Sequence, residues 1–79
     1  MRKEDIKQTV YGIILTLCEA RSMKDLPPTT HLRDFMNSLD VVEVFMQLER
    51  IYKISIDDND IVRCKTIEDI VDIVSSNLS

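Results

Sequence analysis

Glycine occurs once, histidine once and tryptophan not at all in these 79 residues. With Gly12 alone, no glycine-rich loop exists to cradle a nucleotide phosphate. His31 lies in a loop-like stretch, Pro27-Pro28-Thr29-Thr30-His31, and no Gly-x-Ser-x-Gly turn is present. A Ser–His–acid hydrolase needs both a base and a presented nucleophile, so His31 reads as a solvated loop residue. Two cysteines and one histidine, all far apart, are too few for a zinc site. Asp57-x-Asn59 with Glu68 at the twelfth position has the outline of a calcium loop, but Ile61 and Val62 stand where an oxygen ligand and the turn glycine belong. No stretch approaches the ~20 apolar residues of a membrane span.

Basic residues are also scarce: ten Lys/Arg stand against fourteen Asp/Glu, a net charge of −4. Nucleic-acid binders must neutralise phosphates and are normally basic, so DNA and RNA are excluded as expected partners. Anionic membrane surfaces are disfavoured for the same reason, and basic protein surfaces are favoured. The imbalance is uneven. Residues 1–35 carry six bases and five acids, whereas residues 36–79 carry four bases and nine acids. The start Met1-Arg2-Lys3-Glu4 is charged and no apolar run comes promptly after it, so no secretory signal is expected. Cys18 and Cys64 are expected as reduced, partly buried thiols of a cytoplasmic protein, with a disulfide as the lesser alternative.

What is present is a globular composition, 44% apolar, sized for one domain over residues 1–79. A chain this short buries about 60–65% of its unfolded surface, so its core is thin. A deep catalytic cleft is hard to build on it; one shallow apolar cavity between helices is feasible. Ile6, Val10, Ile13, Ile14 and Leu17 form one stripe of a helix from Glu4 to about Ala20. Beyond that helix, Pro27-Pro28 breaks any regular structure and pushes Leu26 toward an extended conformation. Some of Leu26, Leu32, Phe35 and Met36 should pack this long connection onto the core, with a short turn near 32–35.

Asn37 or Ser38 starts a second helix that runs to about Tyr52, with Asn37 a good N-cap and Asp40 favourable in the first turn. Leu39, Val42, Phe45 and Met46 are expected to face inward, Val41, Val44 and Leu48 to widen that side, and Asp40, Glu43, Gln47 and Arg50 to face out. Lys53-Ile54-Ser55-Ile56 alternates but has no partner strand, so it reads as an extended loop with Ile54 and Ile56 inward. Asp57 and its neighbours cap a short helix through Cys64. Thr66-x-x-Asp69 resembles a capping box and opens a last helix through Ile67, Ile70, Val71 and Val74. The expected fold is all-α: an antiparallel bundle of three main helices plus one short helix.

Three segments in order then resemble the acyl carrier protein family. Asn37-Ser38-Leu39, leading into Asp40-Val41-Val42-Glu43, is similar to the family's Asp-Ser-Leu at the start of its second helix. Tyr52-Lys53-Ile54-Ser55-Ile56-Asp57 is similar to its aromatic-Gly-Ile-x-Ile-x-acid segment. Thr66 to Val74 resembles its fourth helix. The likeness covers residues 32–77 well and residues 1–31 by length and helix position. It implies a 4′-phosphopantetheine arm on the Ser38 hydroxyl, attached from coenzyme A by a phosphopantetheinyl transferase. It implies that Asp40, Glu43 and Glu49 form the face read by basic patches on acyl-transferring or ketosynthase-type enzymes. It implies an acyl cavity lined by Val42, Phe45, Met46, Ile56, Ile61 and Ile70, and a protein with no catalytic residues of its own.

Four departures mark a divergent member. Asn37 replaces the family's Asp, Asp34-Phe35-Met36 lacks the Leu-Gly step, Lys53 replaces a Gly, and Arg50 replaces a common acid. The function expected is a free-standing, monomeric acyl carrier in fatty-acid-like or secondary biosynthesis. An unmodified interaction module of the same fold and an aminoacyl or peptidyl carrier are the alternatives.

Overall fold

The computed structural model describes residues 2–18 and 27–78, with every side chain among them except that of Cys18. Four α-helices run in order: α1 (Lys3–Cys18), α2 (Ser38–Tyr52), α3 (Asp58–Arg63) and α4 (Ile67–Leu78), with a 3-10 turn at Leu32–Asp34 before α2. No strand occurs among the described residues; the only β-type pairing there is one isolated bridge between His31 and Thr66. The architecture is the all-α bundle expected, with α1 packed on both α4 and α2. Ala20, Leu26 and the Cys18 thiol, about which the sequence carried expectations, lie outside the described residues.

The core is the sum of one stripe from each long helix. α1 buries Ile6, Val10, Ile13 and Ile14 as its spacing requires, and adds Tyr11, a residue the stripe did not include. α4 buries Ile67, Ile70, Val71 and Val74. Between α1 and α2, Leu32 and Met36 are buried and fasten the connection to the core. No polar or charged residue is buried among those described, so cohesion rests on apolar area removed from water.

α2 departs from expectation in its phase. Its buried residues are Val41, Val44, Phe45 and Leu48. Leu39 is 80% exposed, Met46 48% and Val42 43%, so these three face outward rather than inward. The reason is geometric. Seven apolar residues between Leu39 and Leu48 are too many for one helical stripe, and two phases were compatible with the pattern. Steps of three, one and three from Val41 to Leu48 make the stripe that packs.

Helix ends are held as the local chemistry dictates. Asn37 Oδ1 accepts from the Asp40 N–H at 2.9 Å, and Asp57 Oδ1 accepts from the Asn59 N–H at 2.8 Å. Before α4 the capping box closes both ways. The Asp69 N–H donates to Thr66 Oγ1, and Asp69 Oδ2 accepts from the Thr66 and Lys65 N–H groups.

α2 ends on Lys53 in the left-handed region, φ 55° and ψ 47°. The N–H groups of Lys53 and Ile54 both donate to the Glu49 carbonyl, an arrangement that favours glycine at this position. Gly12, by contrast, is an exposed helical glycine with nothing within 4 Å of an added Cβ. Lys53→Gly and Gly12→Ala should therefore each raise stability by about 0.5–1 kcal/mol, read as a higher urea midpoint at unchanged slope.

Candidate functional site

Ser38 is exposed and is the first residue of α2, directly after the Asn37 cap. The first turn of a helix leaves backbone N–H groups without intrahelical partners, and the helix dipole adds a partial positive charge there. An oxygen at this position suits a bond to a negatively charged group.

A cavity of about 470 Å³ opens beside Ser38. Its apolar wall comes from Leu32, Val41, Val42, Ile61 and Val62, and its polar wall from Ser38, His31, Arg33, Cys64 and Lys65. Two backbone staples hold one side of it. The Leu32 N–H donates to the Lys65 carbonyl at 2.8 Å, and the Glu68 N–H to the Pro28 carbonyl at 2.9 Å. They tie the segment before α2 to Lys65, between α3 and α4, and to the first turn of α4, positions more than thirty residues apart in sequence.

The six residues expected to line an acyl cavity do not share one wall. Val42 and Ile61 line the cavity at Ser38. Phe45, Ile56 and Ile70 are buried core residues outside that lining. Met46 points to the exposed side of α2. His31, expected as a solvated loop residue, is exposed and stands at the cavity rim. The basic contributors Arg33 and Lys65 went unnoticed in the sequence, where each looked like an ordinary surface cation.

The Cys64 thiol is half-buried and donates to the Thr66 carbonyl at 3.6 Å. Burial, and secondly the Asp69 carboxylate, push its pKa up to about 12. Near neutral pH it is a protonated thiol and a poor nucleophile, so the wall offers no thiolate to attack a thioester held nearby.

The acidic residues expected on one face of α2 divide. At about 100° per residue, Asp40 and Glu43 are neighbours, while Glu49 lies about half a turn round from Asp40. Glu49 is half-buried, and its Oε2 accepts from the Ile56 N–H at 2.9 Å. It anchors the loop after α2. The outward face instead combines Asp40 and Glu43 with the exposed apolar side chains Leu39, Val42 and Met46.

A family model described as a phosphopantetheine attachment site matches residues 8–74. The chain belongs to that family. It is similar to an acyl carrier protein of Phytoplasma australiense, 41% identical over 44 residues that cover 56% of this chain and 58% of that relative. It is also similar to an acyl carrier protein of Thermosynechococcus vestitus, 26% identical over 80 residues that cover 100% of this chain and 99% of that relative.

Phosphopantetheine is thus the prosthetic group of this carrier family, and the chain is a carrier rather than an enzyme. The residues present fit the group. A hydroxyl is exposed on a helix N-terminus, and the cavity beside it has cations and no carboxylate in its lining. Among the described residues no cluster of His, Cys, Asp and Glu is arranged to hold a metal, and no helix is long and apolar enough to cross a membrane.

Proposed function

We propose that this protein is an acyl carrier that bears 4′-phosphopantetheine on Ser38 Oγ and serves fatty-acid-like or secondary-metabolite biosynthesis. The observation that carries the proposal is the exposed Ser38 hydroxyl at the first turn of α2, beside a cavity without carboxylates. Loading uses a phosphopantetheinyl transferase and coenzyme A. The Ser38 oxygen bonds to the phosphorus that bears pantetheine, the bond from that phosphorus to the 3′,5′-ADP portion breaks, and the hydroxyl proton leaves to a base of the transferase. Once bound, the arm supplies a thiol that holds acyl groups as thioesters. The chain contributes attachment, shelter and recognition.

Recognition falls to the outward face of α2. Asp40 and Glu43 offer negative charge to a basic patch, which speeds encounter without demanding a long-lived complex. Leu39, Val42 and Met46 offer apolar contact in the same footprint, which is where an exposed apolar patch on a small protein finds its use. Partners of this kind are the transferase and acyl-transferring or ketosynthase-type enzymes.

The test is an intact-mass spectrum of the purified protein before and after incubation with coenzyme A, magnesium and a broad-specificity transferase. A gain of one phosphopantetheine supports the carrier reading. A folded sample that gains nothing with several transferases contradicts it and favours an unmodified interaction module on the same scaffold.

A further inference from the structure

We propose that Arg33 and Lys65 form an electrostatic seat for the phosphodiester that joins the arm to Ser38. The seat directs the start of the arm into the cavity instead of into solvent. The proposal rests on Ser38 being the attachment point.

Three observations carry it. First, the chain has fourteen acids and ten bases, yet no acid lines the cavity at Ser38, while Arg33, Lys65 and His31 do. The other cavities described each carry carboxylates: Glu4, Glu68 and Asp72 in one, Asp60 and Asp72 in the others, with Asp69 in one of those. Second, neither Arg33 nor Lys65 has a carboxylate at ion-pair distance among the described residues, where the single ion pair is Lys3–Asp72 at 3.0 Å. In an acidic protein, two cations left unpaired beside one serine are available to an anion. Third, their backbones are held. Lys65 donates its N–H to Asp69 and accepts from the Leu32 N–H, and Arg33 lies in the adjoining 3-10 turn. The two side chains therefore project from positions that the fold fixes relative to Ser38.

A phosphodiester remains anionic throughout the neutral range. Guanidinium and ammonium groups bind such an oxygen pair with charge-assisted hydrogen bonds, stronger than neutral ones. Without a seat, only the α2 dipole favours the added charge, against repulsion from a protein of net charge −4. With a seat, attachment stabilises the fold further. The part of the stability gain that depends on Arg33 and Lys65 therefore distinguishes the two situations.

The experiment compares melting of the apo and loaded forms of the wild type and of an Arg33→Gln/Lys65→Gln variant, with loading verified by intact mass. Both side chains are exposed, and the Lys65 staples are backbone bonds, so the variant retains its fold and its apo melting temperature provides the baseline. The loaded wild type should melt roughly 3–6 °C above its apo form, and about 0.5 M salt should shrink that increment. In the double variant most of the increment should be lost, leaving only what the α2 dipole supplies. The 31P line of the loaded wild type should be broadened by tumbling with the protein and should narrow in the variant.

A loaded wild type that melts at or below its apo form overturns the seat, as does a double variant that keeps the full increment. Those results leave the carrier reading standing, because loading is scored separately by mass. Failure of the wild type to load overturns both.

Discussion

Ser38→Ala is expected to abolish attachment of the arm completely while leaving the fold unchanged. The methyl group supplies no oxygen to bond to phosphorus, so residual loading should be zero rather than merely slow. Stability should shift by no more than about 0.5 kcal/mol, because an exposed first-turn residue outside the cap makes little contribution. Asn37→Ala is the complementary control. It removes the oxygen that accepts from the Asp40 N–H, at a cost of about 1 kcal/mol, yet it keeps the hydroxyl and should still load. Mass spectrometry scores the first quantity and urea midpoints the second. Loading that survives in Ser38→Ala would remove the basis of the account.

The second large effect concerns Asp69. Its carboxylate accepts from the backbone N–H groups of Lys65 and Thr66 at 3.0 and 3.1 Å, and α4 begins on this arrangement. Asp69→Ala leaves those donors without their partner and should lower stability by about 1–2 kcal/mol, or roughly 5–10 °C in melting temperature. The loss has a functional side. Lys65 carries both the staple to Leu32 and one cation of the Ser38 cavity, so the cavity wall should loosen with the cap.

The same carboxylate gives a pH dependence of known sign. The Lys65 backbone hydrogen bond, helped by those to Thr66 and by nearby His31, holds the Asp69 pKa below its ordinary value. A depressed folded pKa means the unfolded chain binds the proton more readily. The stabilisation is complete above the ordinary carboxylate range and is lost as pH falls through the depressed value. Asp69→Asn keeps an acceptor but no charge. Its deficit relative to wild type should be full at neutral pH and vanish in acid, read from urea midpoints across pH. A deficit independent of pH would contradict this.

Local chemistry made much of the fold legible. The Asn37 cap, the Thr66–Asp69 capping box and the Asp57 cap mark helix starts with side chains that act on their own neighbours. Lys53 stands where the family has a glycine, and its φ of 55° shows it taking up that turn with a side chain. The stripes of α1 and α4 were readable because each has one apolar phase. α2 was not, because Leu39, Val42 and Met46 supply a second apolar phase, which belongs to the surface. Glu49, which the resemblance put on the docking face, is half-buried, and its carboxylate serves the Ile56 N–H seven residues on.

The candidate site shows the same division between local and distant information. Ser38 was singled out by the resemblance of Asn37-Ser38-Leu39 to the family's motif. The cavity beside it was not, since Arg33 and Lys65 come to one cavity only through the staples that join the segment before α2 to Lys65 and the start of α4. No periodicity or local motif encodes that approach. Of the expected acyl lining, Phe45, Ile56 and Ile70 are buried in the core and do not line the cavity at Ser38; an apolar core and an apolar ligand cavity call on the same residue types.

The most direct test of the central claim is to locate the prosthetic group on the chain. The protein would be produced together with a phosphopantetheinyl transferase, digested, and its peptides fragmented in the mass spectrometer. The added mass is expected on the peptide that contains Ser38 and on no other. An unmodified Ser38 peptide in a sample whose intact mass shows loading, or the group on Ser55, Ser75 or Ser76, would contradict it.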